Sequence, residues 1–310
     1  MKVVITGATG FVGQALVPAL VAGGDEVVVL SRDAERARAR LPAGVTAVTA
    51  DLEEPGAWTA ALAGAGAVVH LAGEPVAGKR WNARQRQVIR DSRVETTRTI
   101  VEAIGALPAG ERPGCLVSAS GTDYYPFAET DTPFDDDEVT EADPPGETFL
   151  ARVCRDWEAE ARGAEGHGVR VAMMRTGFVL GAGGGLAKMT TPFKLFAGGP
   201  IGSGRQWLPW MHIGDAAAAY AAAVHDERYR GPINLVTDSV RNRDFARALG
   251  AAMHRPSWLP VPAFAVRAAV GELAEYLLHG RRVVPARLRA LGFAWQHPTL
   301  AGALEAALAS

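Results

Sequence analysis

The sequence predicts an α/β fold, a doubly wound parallel sheet with a smaller, mostly helical C-terminal lobe, on three observations. Short continuous apolar runs alternate with longer amphipathic ones from the first residues. The opening run ends in a glycine triplet that leads straight into a helix pattern. After Gly181 the texture changes to glycine-rich stretches and mostly helical segments. The 310 residues, 48% hydrophobic and 21% charged, supply enough apolar material for one large unit with an appended lobe.

Taken in order, Lys2–Thr6 is an apolar strand and Phe11–Ala22 a helix with apolar positions at helical spacing. Glu26–Leu30, Val45–Ala50 and Ala67–Leu71 give the second to fourth strands, Cys115–Val117 the fifth and Val169–Met174 the sixth. A long helix from about Asn82 to Leu107 and another from about Glu147 to Glu165 fall between them. Strands that are apolar throughout, rather than alternating, are covered on both faces, which is the mark of a parallel sheet. The acidic, turn-rich segment Glu129 to Asp143 is expected to be a solvated loop, and Pro144-Pro145-Gly146 to prime the helix after it. The expected division is a nucleotide-binding domain at residues 1–180 and a substrate lobe with helical extension at 181–310. Later segments, about 212–240, are expected to return to the first domain.

Charge and cysteine usage exclude several classes. The net charge is −2, so there is no basic excess to hold nucleic acid or an anionic membrane. No apolar run is long enough to span a bilayer, and no secretory pattern opens the chain. Cys115 and Cys154 form neither a disulfide framework nor a metal-ligand spacing, and no pair of histidines has one either. A soluble cytoplasmic protein acting on a small molecule, monomeric or homodimeric, is expected.

The stretch Thr6-Gly7-Ala8-Thr9-Gly10-Phe11-Val12-Gly13 sits where a strand becomes a helix. Gly7 permits a tight turn, Gly10 lets backbone approach a diphosphate, and Gly13 lets the helix pack close to the sheet. With Thr9, Phe11 and Val12 this forms a Rossmann-like phosphate grip, using the amides and positive dipole end of the helix. The second strand ends in Leu30-Ser31-Arg32, where an NAD site would place a carboxylate. A guanidinium pairs with a 2′-phosphate, so NADP(H) is the expected cofactor, and Asp33 is expected to cap the next helix. Asp51-Leu52 would border the adenine and Leu71-Ala72-Gly73 the nicotinamide-side ribose, with Glu74 near a ribose or substrate hydroxyl.

On these residues the chain resembles the extended, or atypical, short-chain dehydrogenase/reductases of the NAD-dependent epimerase/dehydratase superfamily. Within it the resemblance is to the epimerase-like subgroup typified by bacterial YfcH-related proteins, which ends in a domain of unknown function. The motifs are TGATGFVG, LAGEPVAGKRW, RDSRVETTR, VCRDWE, RTGFVLG, GGPIGSGRQW and WMHIGD, then HRPSWLPVPAFAVR and VVPARL near the C-terminus. They span essentially the whole chain. The resemblance implies a Rossmann-like core, a small C-terminal lobe and a cytoplasmic location. It also implies NADP(H) contacts from Ser31-Arg32, Leu71-Ala72, Arg93 and the backbone near Phe178-Val179. It implies no particular substrate.

One departure from the wider family matters. There, a tyrosine and, four residues on, a lysine share one helix face and deliver a proton to the substrate. No Tyr-x-x-x-Lys occurs in this sequence, and the equivalent positions hold Leu150/Cys154 or Phe149/Val153. Ser120 aligns with the family's catalytic serine, and Tyr124 is the candidate donor beside it. Tyr125, its neighbour, is the other candidate donor, the alternative being that the two form aromatic walls around the nicotinamide or substrate; Asp123 and Pro126 flank the pair where the subgroup usually has glycines. Lys79, Arg205 and His212, set among tryptophans, are candidates to line an anionic or ring-bearing substrate. The expected function is an NADP(H)-dependent oxidoreductase acting on a small carbonyl compound. The rival is a non-catalytic NADP(H)-responsive binding protein; a sugar-nucleotide epimerase fits less well, because its chemistry uses the missing tyrosine directly.

Overall fold

The structure is a computed structural model that describes residues 1–127 and 136–309. Its strands are β1 (Lys2–Thr6), β2 (Glu26–Ser31), β3 (Thr46–Thr49), β4 (Ala67–His70), β5 (Cys115–Gly121) and β6 (Glu138–Val139). They continue with β7 (Arg170–Thr176), β8 (Phe178–Leu180), β9 (Trp207–His212), β10 (Gly231–Leu235), β11 (Asp238–Arg241) and β12 (Arg282–Val283). The helices of the first half are α1 (Phe11–Ala22), α2 (Ala34–Arg38), α3 (Ala83–Ala106) and α4 (Phe149–Arg162). Those of the second are α5 (Gly184–Lys194), α6 (Ile213–His225), α7 (Asn242–Ala252), α8 (Ala263–Val270), α9 (Ala274–Leu278), α10 (Ala286–Ala290) and α11 (Leu300–Ala309).

Seven strands form one parallel sheet in the order β10-β7-β5-β4-β1-β2-β3. Residues such as Val3, Ile5, Val27 and Val29 face one side, where Leu16, Val17 and Leu20 of α1 pack with Tyr220 and Ala223 of α6. Val4, Val28 and Val68 face the other, against Ile100 and Ile104 of α3 and Ala161 of α4. Burial on both faces explains why these strands carry no polar alternation. The predicted doubly wound architecture is the one observed.

Two boundaries differ from expectation for identifiable reasons. The fifth strand runs past Val117 through Gly121, because Ser118–Gly121 pair with Met173–Thr176 of β7 inside the sheet. There, backbone pairing outweighs weak apolar character. The helix after Pro144-Pro145-Gly146 begins at Phe149, with Thr148 as its cap, its side chain accepting from the Ala151 amide. Of the acidic segment Glu129 to Asp143, residues 129–135 lie outside the described residues; the remainder contributes β6, which pairs with β12.

The second half builds a smaller lobe. Strands β11-β9-β8 form a three-stranded sheet, and Phe193, Trp210, Phe245, Leu249 and Leu304 fill the core between it and α5, α7 and α11. Within the same half, α6 packs on α1 and β10 extends the large sheet beside β7. Among the described residues no helix is long and apolar enough to cross a membrane.

Candidate functional site: a dinucleotide cleft at the strand ends

Strand β1 lies between β4 and β2, so successive crossovers leave it in opposite directions and a crevice opens at its carboxyl end. The turn there needs its glycines. Gly7 has φ +68°, and a Cβ on it would stand 2.6 Å from the Leu71 carbonyl carbon. A Cβ on Gly13 would stand 2.6 Å from the Ala8 backbone, so α1 lies directly on the loop. No side chain caps α1 at Gly10; Gln14 instead donates to the Thr9 carbonyl at 3.0 Å. The first amides of the helix, at Phe11 and Val12, therefore have no side-chain acceptor and suit a diphosphate. Phe11 carries its ring outward against Gly183 and Gly184, joining the loop to the small lobe.

On the β2 side, Ser31 is half-buried and Arg32 exposed at the rim. Asp33 caps α2, its Oδ1 accepting from the Arg36 amide at 2.9 Å, so its carboxylate is committed to the helix and Arg32 is left to face the cleft's rim. Asp51 is exposed and accepts from the Glu53 amide at 3.1 Å, while Leu52 packs against the core.

The β4 side is a ladder of polar contacts. The Ala72 amide donates to Thr6 Oγ1 at 3.3 Å, and Thr6 Oγ1 lies 2.7 Å from His70 Nδ1. His70 Nε2 lies 3.3 Å from Thr96 Oγ1, which itself donates to the Ser92 carbonyl. That pattern assigns the imidazole proton to Nε2 and leaves Nδ1 to accept. Burial, and secondarily Arg93, lower the His70 pKa to about 3, so the ring is neutral. Glu74 accepts from Lys79 at 3.1 Å and from Gln85 at 3.4 Å, and the Lys79 hydrogen bond is the first cause of its lowered pKa. Arg93 donates to the carbonyls of Glu74 (3.0 Å) and Ile89 (2.9 Å), and its guanidinium stands 5.4 Å over the Trp157 ring. Gly73 admits it: a Cβ there would stand 3.1 Å from Arg93 Cζ.

At the β5 end the structure corrects two expectations. Ser120 is buried, and its hydroxyl donates to Glu158 Oε1 at 2.8 Å rather than facing the cleft. Glu158 in turn grips Arg175 at 2.7 and 2.8 Å. Tyr125 is 1% exposed, so it is no wall of the cleft; its hydroxyl donates to Asn234 Oδ1 at 2.6 Å and accepts from Arg175 at 2.9 Å. The physical reason is shared: a guanidinium and a carboxylate inside the fold require every neighbouring hydroxyl as a partner. Tyr124 remains half-buried, with the Arg175 guanidinium 3.5 Å over its ring.

Leu150 and Cys154 are both buried, Leu150 packing with Trp81 and Ile89. Burial pushes the Cys154 thiol up to about 12, so it is inert as a nucleophile. His212 caps α6, with Nδ1 accepting from the Gly214 amide at 3.1 Å, and its ring lies 3.8 Å from that of His297. Arg205 is exposed on the loop before β9, where its carbonyl accepts from Arg241. Phe178 turns its ring to Phe245 at 6.0 Å, leaving only backbone for a cofactor. A cavity of about 420 Å³ lined by Gly183, Leu186, Thr190, Lys194, Met253 and Leu308 belongs to the small lobe.

Sequence reasoning missed three groups. Arg175 was signalled by a charge inside an apolar strand, and Glu158 by its place on the same helix face as Leu150 and Cys154. Tyr276, whose hydroxyl accepts from the Leu150 amide at 3.0 Å, arrives from α9 and had no local signal.

Fold and cleft together define a Rossmann-type nucleotide-binding α/β protein. The profile of the NAD dependent epimerase/dehydratase family matches residues 3–235, and that of a domain of unknown function, DUF1731, matches residues 261–307; the chain belongs to the epimerase/dehydratase family. An epimerase family protein SDR39U1 homolog, chloroplastic, of Arabidopsis thaliana is 40% identical over 99% of this chain and 86% of its own length. Epimerase family protein SDR39U1 of Bos taurus is 38% identical over the full length of both. The crystal structure of human epimerase family protein SDR39U1 with NADPH superposes with a TM-score of 0.87 at 35% identity, covering all of both chains. The resemblance read from the motifs is borne out.

Proposed function

We propose that this chain binds NADP(H) in the Gly7–Gly13 cleft and uses it to reduce a small carbonyl compound. The observation that carries the reading is the division of labour at the β2 end. Asp33 is spent on the α2 cap while Arg32 stands at the rim, which disfavours a bare ribose hydroxyl and favours a 2′-phosphate. The NADPH in the human relative's crystal structure supports it. The glycine turn fits a diphosphate, since side chains at Gly7 and Gly13 would collide with backbone. When bound, the dinucleotide supplies a hydride. The chain's tasks are to hold it with the α1 amides and Arg32, to order the β4 edge through Thr6, His70 and Thr96, and to provide a proton.

A second reading has its own support: with the hydroxyls of Ser120 and Tyr125 committed to a buried network, the chain could act as a non-catalytic NADP(H)-responsive binder. A sugar-nucleotide epimerase has less, because no Tyr-x-x-x-Lys occurs and the equivalent helix position holds Leu150 or Phe149. Calorimetric titration with NADPH and NADH, followed by a panel of carbonyl compounds with NADPH oxidation as the signal, tests the readings. NADPH binding with oxidation supports the reductase, binding with no oxidation favours the sensor, and no binding ends both.

A further inference from the structure

The missing tyrosine and lysine leave a gap at the ends of β4 and β5, and the structure fills it from elsewhere. Strand β5 ends at Gly121, and the single turn Thr122–Tyr124 brings Asp123 back toward the strand end. A Cβ on Gly121 would stand 3.6 Å from Asp123 Oδ2 and 3.6 Å from Cys154 Sγ, so carboxylate and thiol flank one bare backbone position. On the adjacent strand end, Gly73 admits the Arg93 guanidinium in the same way. Cys154 is one of the two helix positions, with Val153, that stand where the wider family has its lysine. Arg93, reaching in from α3, is the cation whose charge is felt at both Cys154 and Asp123.

The topology also says which end of a dinucleotide lies here. The diphosphate turn sits on β1; β2 and β3 lie to one side with Arg32 at the rim, so the other end of the cofactor extends over β4 and β5. Asp123 differs from the other carboxylates of the cleft. Asp33 caps a helix, Glu74 is held by Lys79, and Glu158 is chelated by Arg175. Among the described residues no hydrogen bond engages the Asp123 carboxylate.

We propose that Asp123 is the proton donor of the carbonyl reduction, with Arg93 as the positioning cation that takes the place of the family's lysine. The inference rests on the reductase reading above. In the step, the substrate carbon receives a hydride, one hydrogen nucleus with its two bonding electrons, from NADPH while the C=O π pair withdraws to oxygen. The Asp123 O–H bond breaks and a new O–H forms on that oxygen. The products are the alcohol, NADP⁺ and an Asp123 carboxylate, which regains its proton from solvent.

The electrostatics agree with the geometry. Burial raises the Asp123 pKa to about 6, against the downward pull of Arg93. An acid poised there donates far more readily at neutral pH than an ordinary phenol near ~10. The titratable groups facing it are Arg93 from α3, Cys154 from α4 and Tyr276 from α9. Arg93 stays charged, and burial raises the other two, so both stay neutral between pH 5 and 8. Asp123 is the group of this cluster that changes charge in that range.

Asp123→Asn tests the assignment by two independent readouts on the full chain. The first needs no cofactor. A carboxyl raised from 3.8 to about 6 in the fold favours the native state below pH 4 and costs stability once ionised above pH 6. The melting temperature of Asp123→Asn relative to wild type should therefore climb by several degrees between pH 4 and pH 7. A difference that does not change with pH overturns the proposal. The second readout is NADPH oxidation with an active carbonyl compound. The wild-type rate should fall as pH rises through about 6, and Asp123→Asn should lose roughly 10²- to 10⁴-fold and that pH dependence, with NADPH affinity changed less than about threefold. Retained turnover in Asp123→Asn, or a loss that falls on Tyr124→Phe instead, overturns it while leaving the reductase reading intact. A wild type that binds NADPH and oxidises none sinks that reading and this assignment together.

Discussion

Arg175 and Glu158 show how this chain keeps charge inside a parallel sheet. Both side chains are about 2% exposed, and their bidentate contact is extended by Ser120, Tyr125 and the face of Tyr124. Removing Arg175 leaves the buried Glu158 carboxylate with only the Ser120 hydroxyl and a longer 3.7 Å contact to Arg162. Arg175→Met should destabilise the protein by about 3–5 kcal/mol in urea unfolding, and the double change with Glu158→Leu should recover most of it. At the opposite end of the cleft, Arg32 is exposed, so its loss should cost little stability. Arg32→Ala should weaken NADPH binding by roughly 10- to 100-fold, as expected for hydrogen bonds to a charged group, and NADH binding much less. Equal losses in calorimetry would remove Arg32 from the 2′-phosphate. At this scale the candidate site was only partly legible. The glycine turn could be read because the steric demands of a strand–helix turn follow chain-local spacing. The fate of Ser120 and Tyr125 could not, because each hydroxyl answers to a partner 38 to 109 residues away.

The elements were largely visible as apolar runs, since a strand covered on both faces must be apolar at every position and a helix on one stripe. What escaped were the strand ends that carry function, Ser118–Gly121 above all, where sheet pairing rather than composition sets the length. The β1–α1 element offers the sharpest test. In Gly13→Ala the new methyl would meet the Ala8 backbone at 2.6 Å, in contact with backbone that cannot swing aside. The substitution should cost about 1–3 kcal/mol and abolish NADPH binding, measured as thermal shift without and with the cofactor. A variant that still gains stability from NADPH would show that close approach of α1 to the turn is dispensable.

Across the whole molecule, one neutral imidazole ties the sheet to the α3 layer beneath the cleft. His70 is completely buried between Thr6 and Thr96, and its pKa falls from 6.5 to about 3 in the fold. The unfolded chain therefore binds a proton that the native state refuses. The contribution is fully present above pH 6.5 and is lost as pH falls toward 3, by at most about 1.4 kcal/mol per pH unit. His70→Asn should flatten the acid limb of stability in denaturant titrations at pH 4 to 7; an unchanged limb would assign it to other groups. The remaining division follows from range. The sequence alone determined the sheet class, the dinucleotide turn, the preference for a phosphorylated cofactor and the absence of the tyrosine–lysine pair. All of these rest on hydrophobic patterning and steric demands that act within a few residues. Only the tertiary structure decided that Ser120 and Tyr125 serve a buried ion pair, and that the charge of Arg93 is felt at both Asp123 and Cys154. Desolvation and charge pairing depend on what the fold brings within a few ångströms, and no spacing along the chain encodes that distance.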